Sequence, residues 1–520
     1  MNRLMHFAMV GFVSLVGSAS FAEEPKQGPE APATTAPSAA LPSVSETPIR
    51  SIEDLKAEIE TLKGKLAQIP DLQRRIDEME RTLQSLEGHA KEQDAEEARL
   101  KDEKKQRAIA YYRDGFFIET PDNKFRLQIA GVLHFDTRLF GGGDEASPTS
   151  FDIRRGRYDF RGWFYKGDLE QAFRLQIEMA DSPYLRNAYW MFKFHPAFNL
   201  QLGQFKAPAG GADWLTEEAQ VNFVEYSIQT PVTPFFDRGF NVHSSLLGGR
   251  VQANLGLVTG VGADIEVQHG DTDDHKDYAA RLLLVPFKDR EKSPLKGLHL
   301  AGSFQQGLAS VRARQGGEGG YRTENYQSRW FEWKASTVEV EQRRRYGWEA
   351  HYIRGPVTAS YEFDRLEWQD VTSLTAGISS LEGRARSDVG QLWVSWFLTG
   401  EQKTFEDVFF AWRQPKPKRN FSLKNRAWGG WELAARYSWR DTSQELFDLG
   451  LLDGSRGGYA VTAGLRWLWN PKTRIMLDWN YLKSTEGRGI IVERAQAGVF
   501  PQRAYLDHET AWLLRFILTI

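Results

Sequence analysis

The sequence predicts an all-β fold, a membrane-spanning antiparallel β-barrel, with an α-helical coiled coil ahead of it. Three observations carry that expectation. The apolar period drops from about 3.5 to 2 near residue 112 and stays there to the last residue. Mean hydropathy is −0.50 although the chain holds 17 Trp and 32 Phe. Beyond residue 22 no uncharged apolar run approaches the length of about 18 residues that a membrane helix requires. A barrel reconciles the three, because an apolar exterior and a polar lumen average to a hydrophilic chain.

Composition removes several classes. With 520 residues the chain exceeds what one compact core holds, about 250–300 residues. Zero Cys excludes a disulfide scaffold, a Cys-ligated zinc site and a thiol nucleophile. The balance of 66 basic and 69 acidic residues gives no sign of a nucleic-acid partner.

In chain order, residues 1–22 read as a signal peptide. Arg3 is the n-region, 4–16 the apolar h-region, and Ser20-Phe21-Ala22 a small-x-small cleavage site. Residues 23–50 form a Pro/Ala-rich linker with too little apolar surface to offset ordering entropy. From 51 to 107, Ile52, Leu55, Ile59, Leu62, Leu66 and Ile69 step by threes and fours as an a/d seam, with Ser51 placed to cap it. The register slips at Pro70 and resumes through Leu72, Ile76, Met79, Leu83 and Leu86. A short oligomeric coiled coil on the periplasmic side is expected, with a single helix docked elsewhere as the alternative.

The barrel is expected over 112–520. In 124–138, Phe125, Leu127, Ile129, Leu133 and Phe135 share one face; Arg126, Gln128, His134, Asp136 and Arg138 share the other. Similar alternation recurs at 155–164, 173–179, 361–364 and 391–398. Periodicity cannot distinguish a membrane barrel from a soluble sandwich; three further features do. Strand patterns run on for about 400 residues with no helical partner layer. Aromatics cluster at strand ends, as in Tyr189/Trp190, Trp428/Trp431 and Trp467/Trp469. The final segment places Trp512, Leu514, Phe516, Leu518 and Ile520 on one face, as a closing strand must in lipid.

The blocks 125–135, DIRRGRYDFRGWFYK (152–166), LQLGQFKAP (200–208), SWFLTGE (395–401), RQPKPKRNF (413–421), WGGWELAARYSWR (428–440) and GLRWLWNPKTRIMLDWNYL (464–482) occur in an order that resembles the phosphate-selective porin O and P family. The resemblance covers roughly residues 113–520. It implies a trimeric outer-membrane channel of about 16 strands, in which wall-borne basic residues and an inward loop select anions. Two departures stand out: the chain ends on Ile520 where the family usually ends on an aromatic, and it carries the extra linker and coiled coil.

For the lumen, the candidates are Arg126, Arg155, Arg157, Arg161 and Lys206. On a regular strand 155, 157 and 161 share a face, with about 6.7 Å per two residues, and guanidinium groups suit oxyanions such as phosphate. Arg154 stands beside them. The alternative is that Asp159 and other carboxylates neutralise this ladder as lumen salt bridges. Lys416, Lys418, Arg419, Lys424 and Arg426 read as a solvated turn, and Arg343–Arg345 as a group at the channel mouth. No catalytic site is legible. His243 and Ser244 are adjacent on a strand and point apart, and no G-x-S-x-G or H-E-x-x-H occurs. His269, His275, Asp271, Asp273, Asp274 and Asp277 read as a solvated loop, so neither metal nor cofactor is expected.

The expected function is passive diffusion of small phosphate-like anions through the outer membrane. Expected partners are membrane lipids, two further copies of the chain, and peptidoglycan or a periplasmic protein at the coiled coil. A structural tether is the alternative; a lipid hydrolase lacks its motifs.

Overall fold

The computed structural model describes residues 52–520 except 66–69, 114, 142–146, 181–182, 229–231, 235, 261–273, 312–319, 335–337, 406–410, 414 and 495–501. The expected leader and linker lie outside the described residues. Contacts divide the chain into two units, 1–95 and 96–520.

In the first unit, α1 (Ile52–Lys65) starts on Glu53 and Asp54 and ends on Lys63 and Lys65, charges that suit the helix dipole at both ends. It is followed by α2 (Pro70–Gln106), most of which lies in this unit; it opens on Pro, whose missing N–H costs nothing in a first turn. Lys56 pairs with Glu87 at 3.0 Å, and Lys63 pairs with Glu80, so the two helices run antiparallel. The slip read at Pro70 is therefore a reversal of direction. Ile76 is buried in this hairpin, while Ile52, Leu55, Leu62, Met79 and Leu86 stay exposed.

In the second unit sixteen strands form the wall. They are β1 (Arg126–Gly141), β2 (Ser150–Phe164), β3 (Glu170–Glu178), β4 (Tyr184–His195), β5 (Phe198–Lys206), β6 (Phe236–Leu246), β7 (Val251–Val258) and β8 (Asp277–Leu284). The others are β9 (Leu298–Val311), β10 (Val338–Arg354), β11 (Val357–Ser373), β12 (Leu381–Phe397), β13 (Gly430–Thr442), β14 (Leu452–Leu468), β15 (Thr473–Gly487) and β16 (His508–Thr519). Each pairs antiparallel with the next, and β16 returns to β1 from Thr510↔Gly141 to Thr519↔Val132. The last residue completes the seam through Ile520 N–H to Gly131 O at 2.8 Å. Closure leaves no strand edge to meet lipid unpaired. A small hairpin, 109–112 with 116–119, covers the part of β1 that lies beyond β16.

Burial is inverted relative to a soluble protein. Phe151, Tyr158, Leu392, Val394 and Trp396 are exposed, whereas Arg157, Asp159, Gln391, Glu432, Arg466, Asp478 and Arg515 are buried. This is the expected pattern when the outer face meets hydrocarbon. One end of the barrel has mostly short connections, such as 196–197, 355–356 and 469–472; outer-membrane barrels keep that end in the periplasm. Aromatic rings gather there: Trp431 and Trp467 stack at 5.1 Å, Trp467 and Trp469 at 5.3 Å.

Two local irregularities shape the wall. At Gly203 φ is +121°, and a Cβ would lie 2.3 Å from Ala188 O, so β4 and β5 approach closely only because this residue has no side chain. Between His134 and Phe135 the register against β2 shifts, leaving Arg154 unmatched. Such a bulge turns two successive residues to the same side, and both Arg154 and Arg155 face inward.

Three segments enter the lumen. The connection from β5 to β6 (207–235) carries the short helix α3 (Ala212–Leu215). The connection from β9 to β10 holds the paired strands Gly320–Arg322 and Arg329–Trp333. The connection from β12 to β13 pairs Thr404–Phe405 with Trp412–Arg413. Their apolar residues join the two largest hydrophobic clusters among the described residues: Trp330, Phe331 and Trp333 with Trp368 and Val371 in one, Phe223, Trp393 and Trp412 in another.

Candidate functional site

The 207–235 connection is pinned across the lumen by polar contacts to opposite walls. Ala212 N–H donates to Glu349 at 2.8 Å and Asp213 N–H to Glu362 at 3.0 Å, which fixes α3 against β10 and β11. Further along, Val224 N–H donates to Asp478 on β15 at 2.6 Å, and Arg515 of β16 donates to Val224 O. Three glutamates then clamp the loop to the first strands. Glu225 meets Arg154 at 2.9 Å, and Arg138 and Arg515 at 2.8 Å each. Glu218 meets Arg157, Arg186 at 3.0 Å and Arg155 at 3.4 Å. Glu217 meets Arg174 at 2.9 Å.

Burial by itself would push these loop carboxyls up. For Glu217 the guanidinium of Arg174 and the ammonium of Lys206 reverse that and bring it down to about 2. For Glu218, Arg157 and Arg186 do the same and hold it well below the ordinary carboxylate range.

The five basic candidates therefore separate into two groups. Arg155 and Arg157 belong to the clamp: Arg157 also bonds Glu178 at 2.6 Å, and Arg155 lies 3.7 Å from the same carboxylate. For these two, salt bridging is what the structure contains. Arg126, Arg161 and Lys206 instead line a cavity of about 490 Å³ below the loop, bounded by β1 to β7 and reaching the short-turn ends of β1 to β4. Five cations and two carboxylates line it, Glu170 and Glu217. Lys193 is matched by Glu170 at 2.5 Å, and Arg174 by Glu217 and Asp159. Among the described residues Arg126, Arg161 and Lys206 have no carboxylate within 4.0 Å. Arg126 lies over the rings of Phe117 and Trp163, at 4.3 and 4.9 Å. Arg161 donates to Gln128 at 3.0 Å. Lys206 donates to Trp214 O at 2.7 Å, Thr216 O at 3.0 Å and Tyr226 Oη at 3.3 Å, capping the last turn of α3.

His243 bonds Gln201 at 2.7 Å and Asn241 at 3.1 Å, amides on the wall rather than a serine. Arg343 pairs with Asp277 at 2.6 Å and donates to Gly260 O at 2.9 Å, at the two ends of the long β7–β8 connection, whereas Arg345 donates to Val232 O at 2.9 Å and so braces the inward loop. Lys416, Lys418, Arg419, Lys424 and Arg426 are exposed. His269, Asp271 and Asp273 lie outside the described residues. Missing from the sequence reading were the loop glutamates 217, 218 and 225; their signal was a cluster of carboxylates immediately after the GQFKAP block, where a lumen loop begins.

A closed barrel with a charged lumen and inward loops defines a membrane channel. The profile of the phosphate-selective porin O and P family matches residues 127–488, most of the chain. The chain belongs to that family, and it is an outer-membrane channel; the family and its fold are channels, not enzymes. A search of the curated proteins returns no match. Among solved structures, similar folds include OmpF of Salmonella typhi in complex with daunomycin (TM-score 0.44, 11% identity, 79% of this chain and 100% of that one). Another is the anion-selective porin from Comamonas acidovorans (0.43, 12%, 76% and 99%). A third is the outer-membrane channel DcaP of Acinetobacter baumannii (0.43, 8%, 75% and 97%).

Proposed function

We propose that the channel conducts small anions by passive diffusion, with phosphate or a similar oxyanion as its preferred solute. The observation that carries this is the surplus of positive charge lining the cavity below the loop, five cations against two carboxylates, with Arg126 and Arg161 clear of any carboxylate among the described residues. A fixed positive charge lowers the barrier for anions and raises it for cations, and weak multi-site contact lets the ion leave. Two guanidinium groups there suit a tetrahedral oxyanion, while the neutralised clamp above holds the constriction in shape.

The test is a reversal-potential measurement in a KCl gradient, in planar bilayers, on wild type and on a variant carrying Arg126→Gln, Arg161→Gln and Lys206→Gln. Chloride preference falls severalfold in the variant, and block by millimolar phosphate weakens with it. Unchanged selectivity in a folded variant would remove these residues from the ion path. The proposal extends to three copies in the membrane and to an N-terminal helical region in the periplasm, reaching peptidoglycan or a periplasmic partner. Both parts rest on the family resemblance and the apolar seam of residues 52–86.

A further inference from the structure

On the lumen side of β10 and β11, toward their short-turn end, lies a second constellation that ion conduction does not require. Glu349 and His351 face inward two residues apart on β10, and Glu362 sits opposite Glu349 on β11. One donor atom from each of the three lies within 4.8 Å of the other two, and all three residues are buried. His351 Nε2 is 3.0 Å from Glu349 Oε2, and its Nδ1 is 2.8 Å from Ser360 Oγ.

The charge balance around them is incomplete. Gln391 bridges Glu362 and the loop residue Asp213 through its amide nitrogen, at 3.1 and 3.0 Å, so Asp213 belongs to the same cluster. Asp364, next along the inner face of β11 and opposite Gly347, brings the buried carboxylates to four: Asp213, Glu349, Glu362 and Asp364. Arg281 chelates Glu349 at 2.9 and 2.6 Å. Arg345 and Arg436 direct guanidinium nitrogens to the carbonyls of Val232 and Glu225 instead. Among the described residues, Oδ2 of Asp364, which is more than nine-tenths buried, has no hydrogen-bond partner, and neither has the carbonyl oxygen of the buried Gln391. Beyond the one that Arg281 holds, carboxylates buried together are unfavourable unless a cation or bound protons offset their charge. An imidazole nitrogen with carboxylate oxygens is a donor set for a divalent transition metal.

We propose that Glu349, His351 and Glu362 bind one such ion, Zn²⁺ or a close relative. Glu349 and Glu362 are also the acceptors for the backbone N–H groups of Ala212 and Asp213. The ion would therefore stiffen the wall to which the inward loop is fastened. The aromatic rings of Phe405 and Trp412, 5.2 and 5.3 Å from that of His351, shield the site.

The experiment uses the full chain in detergent, stripped with EDTA and dialysed against Zn²⁺ alone. One zinc per chain is retained, the thermal midpoint rises on zinc addition, and His351→Gln and Glu362→Gln each weaken zinc binding at least tenfold. Zinc retained equally by both variants, or not retained by wild type, overturns the proposal. Should the variants fail to fold, wild type loaded with Co²⁺ decides the matter. A visible ligand-field band that zinc displaces supports the site, and a featureless spectrum, as expected if the carboxylates share protons instead, overturns it.

Discussion

Replacing Glu225 with Gln tests how the inward loop is held. Its carboxylate accepts from three guanidinium groups, Arg138, Arg154 and Arg515, at 2.8–2.9 Å, and all four side chains are buried. Gln keeps the shape but removes the charge. Asp136 remains beside Arg138 and Arg515, at 2.6 Å from each, but no other carboxylate is paired with Arg154 among the described residues. Removing one partner of a buried ion pair costs about 3–5 kcal/mol. At about 1.4 kcal/mol per factor of ten, the loop's seated state loses a factor on the order of a hundred to a few thousand against displaced states. The barrel's strand pairing does not depend on Glu225, so the variant still assembles and shows the usual heat-modifiable band on a gel. In single-channel recordings it should give higher mean conductance, frequent transitions between levels, and stronger anion preference from the uncovered arginines. A folded variant with wild-type conductance and quiet current would refute the view that this clamp sets the constriction.

Two further outcomes follow from other parts of the lumen. Trp412→Ala removes a buried ring that contacts Phe405 at 4.0 Å and Trp393 at 5.2 Å, and such truncations cost about 3–5 kcal/mol. The segment from β12 to β13 should then leave the lumen, which raises conductance and exposes it to added protease. Acid should release the loop in a defined window. The folded-state values of Glu217 and Glu218 are depressed, so their stabilisation is complete above the unfolded value of about 4.3. It is lost as pH falls toward the folded value of Glu217, about 2, so conductance stays constant from pH 8 to 5 and rises only below about pH 4.

Much of the wall was legible because a barrel strand has only two faces. The alternation at 125–138 and 391–398 named the outward Phe135, Leu392 and Trp396 correctly, and the apolar run ending at Ile520 marked the closing strand. Alternation failed at Arg154, where one extra residue in β2 turned a side chain from the lipid face to the lumen; a bulge leaves no mark in a period-2 count. In the N-terminal region the seam was read correctly as helical, but its reversal at Pro70 was not foreseen. A helical hairpin and a continuous coiled coil with a slipped register show the same heptad spacing.

The sequence by itself determined the architecture and its orientation toward lipid, since both follow from local periodicity and from the hydration of each side chain. It also put forward five basic candidates for the lumen, Arg126, Arg155, Arg157, Arg161 and Lys206. Only the tertiary structure decided which of them keep their charge uncompensated. Arg157 and Arg161 stand four residues apart on one face, yet the first meets Glu218 from a loop some 60 positions away in the chain and the second, among the described residues, donates to the amide of Gln128 and pairs with no carboxylate. Compensation depends on what crosses the lumen at each height, and that is set by the path of the inward loops rather than by any spacing along a strand.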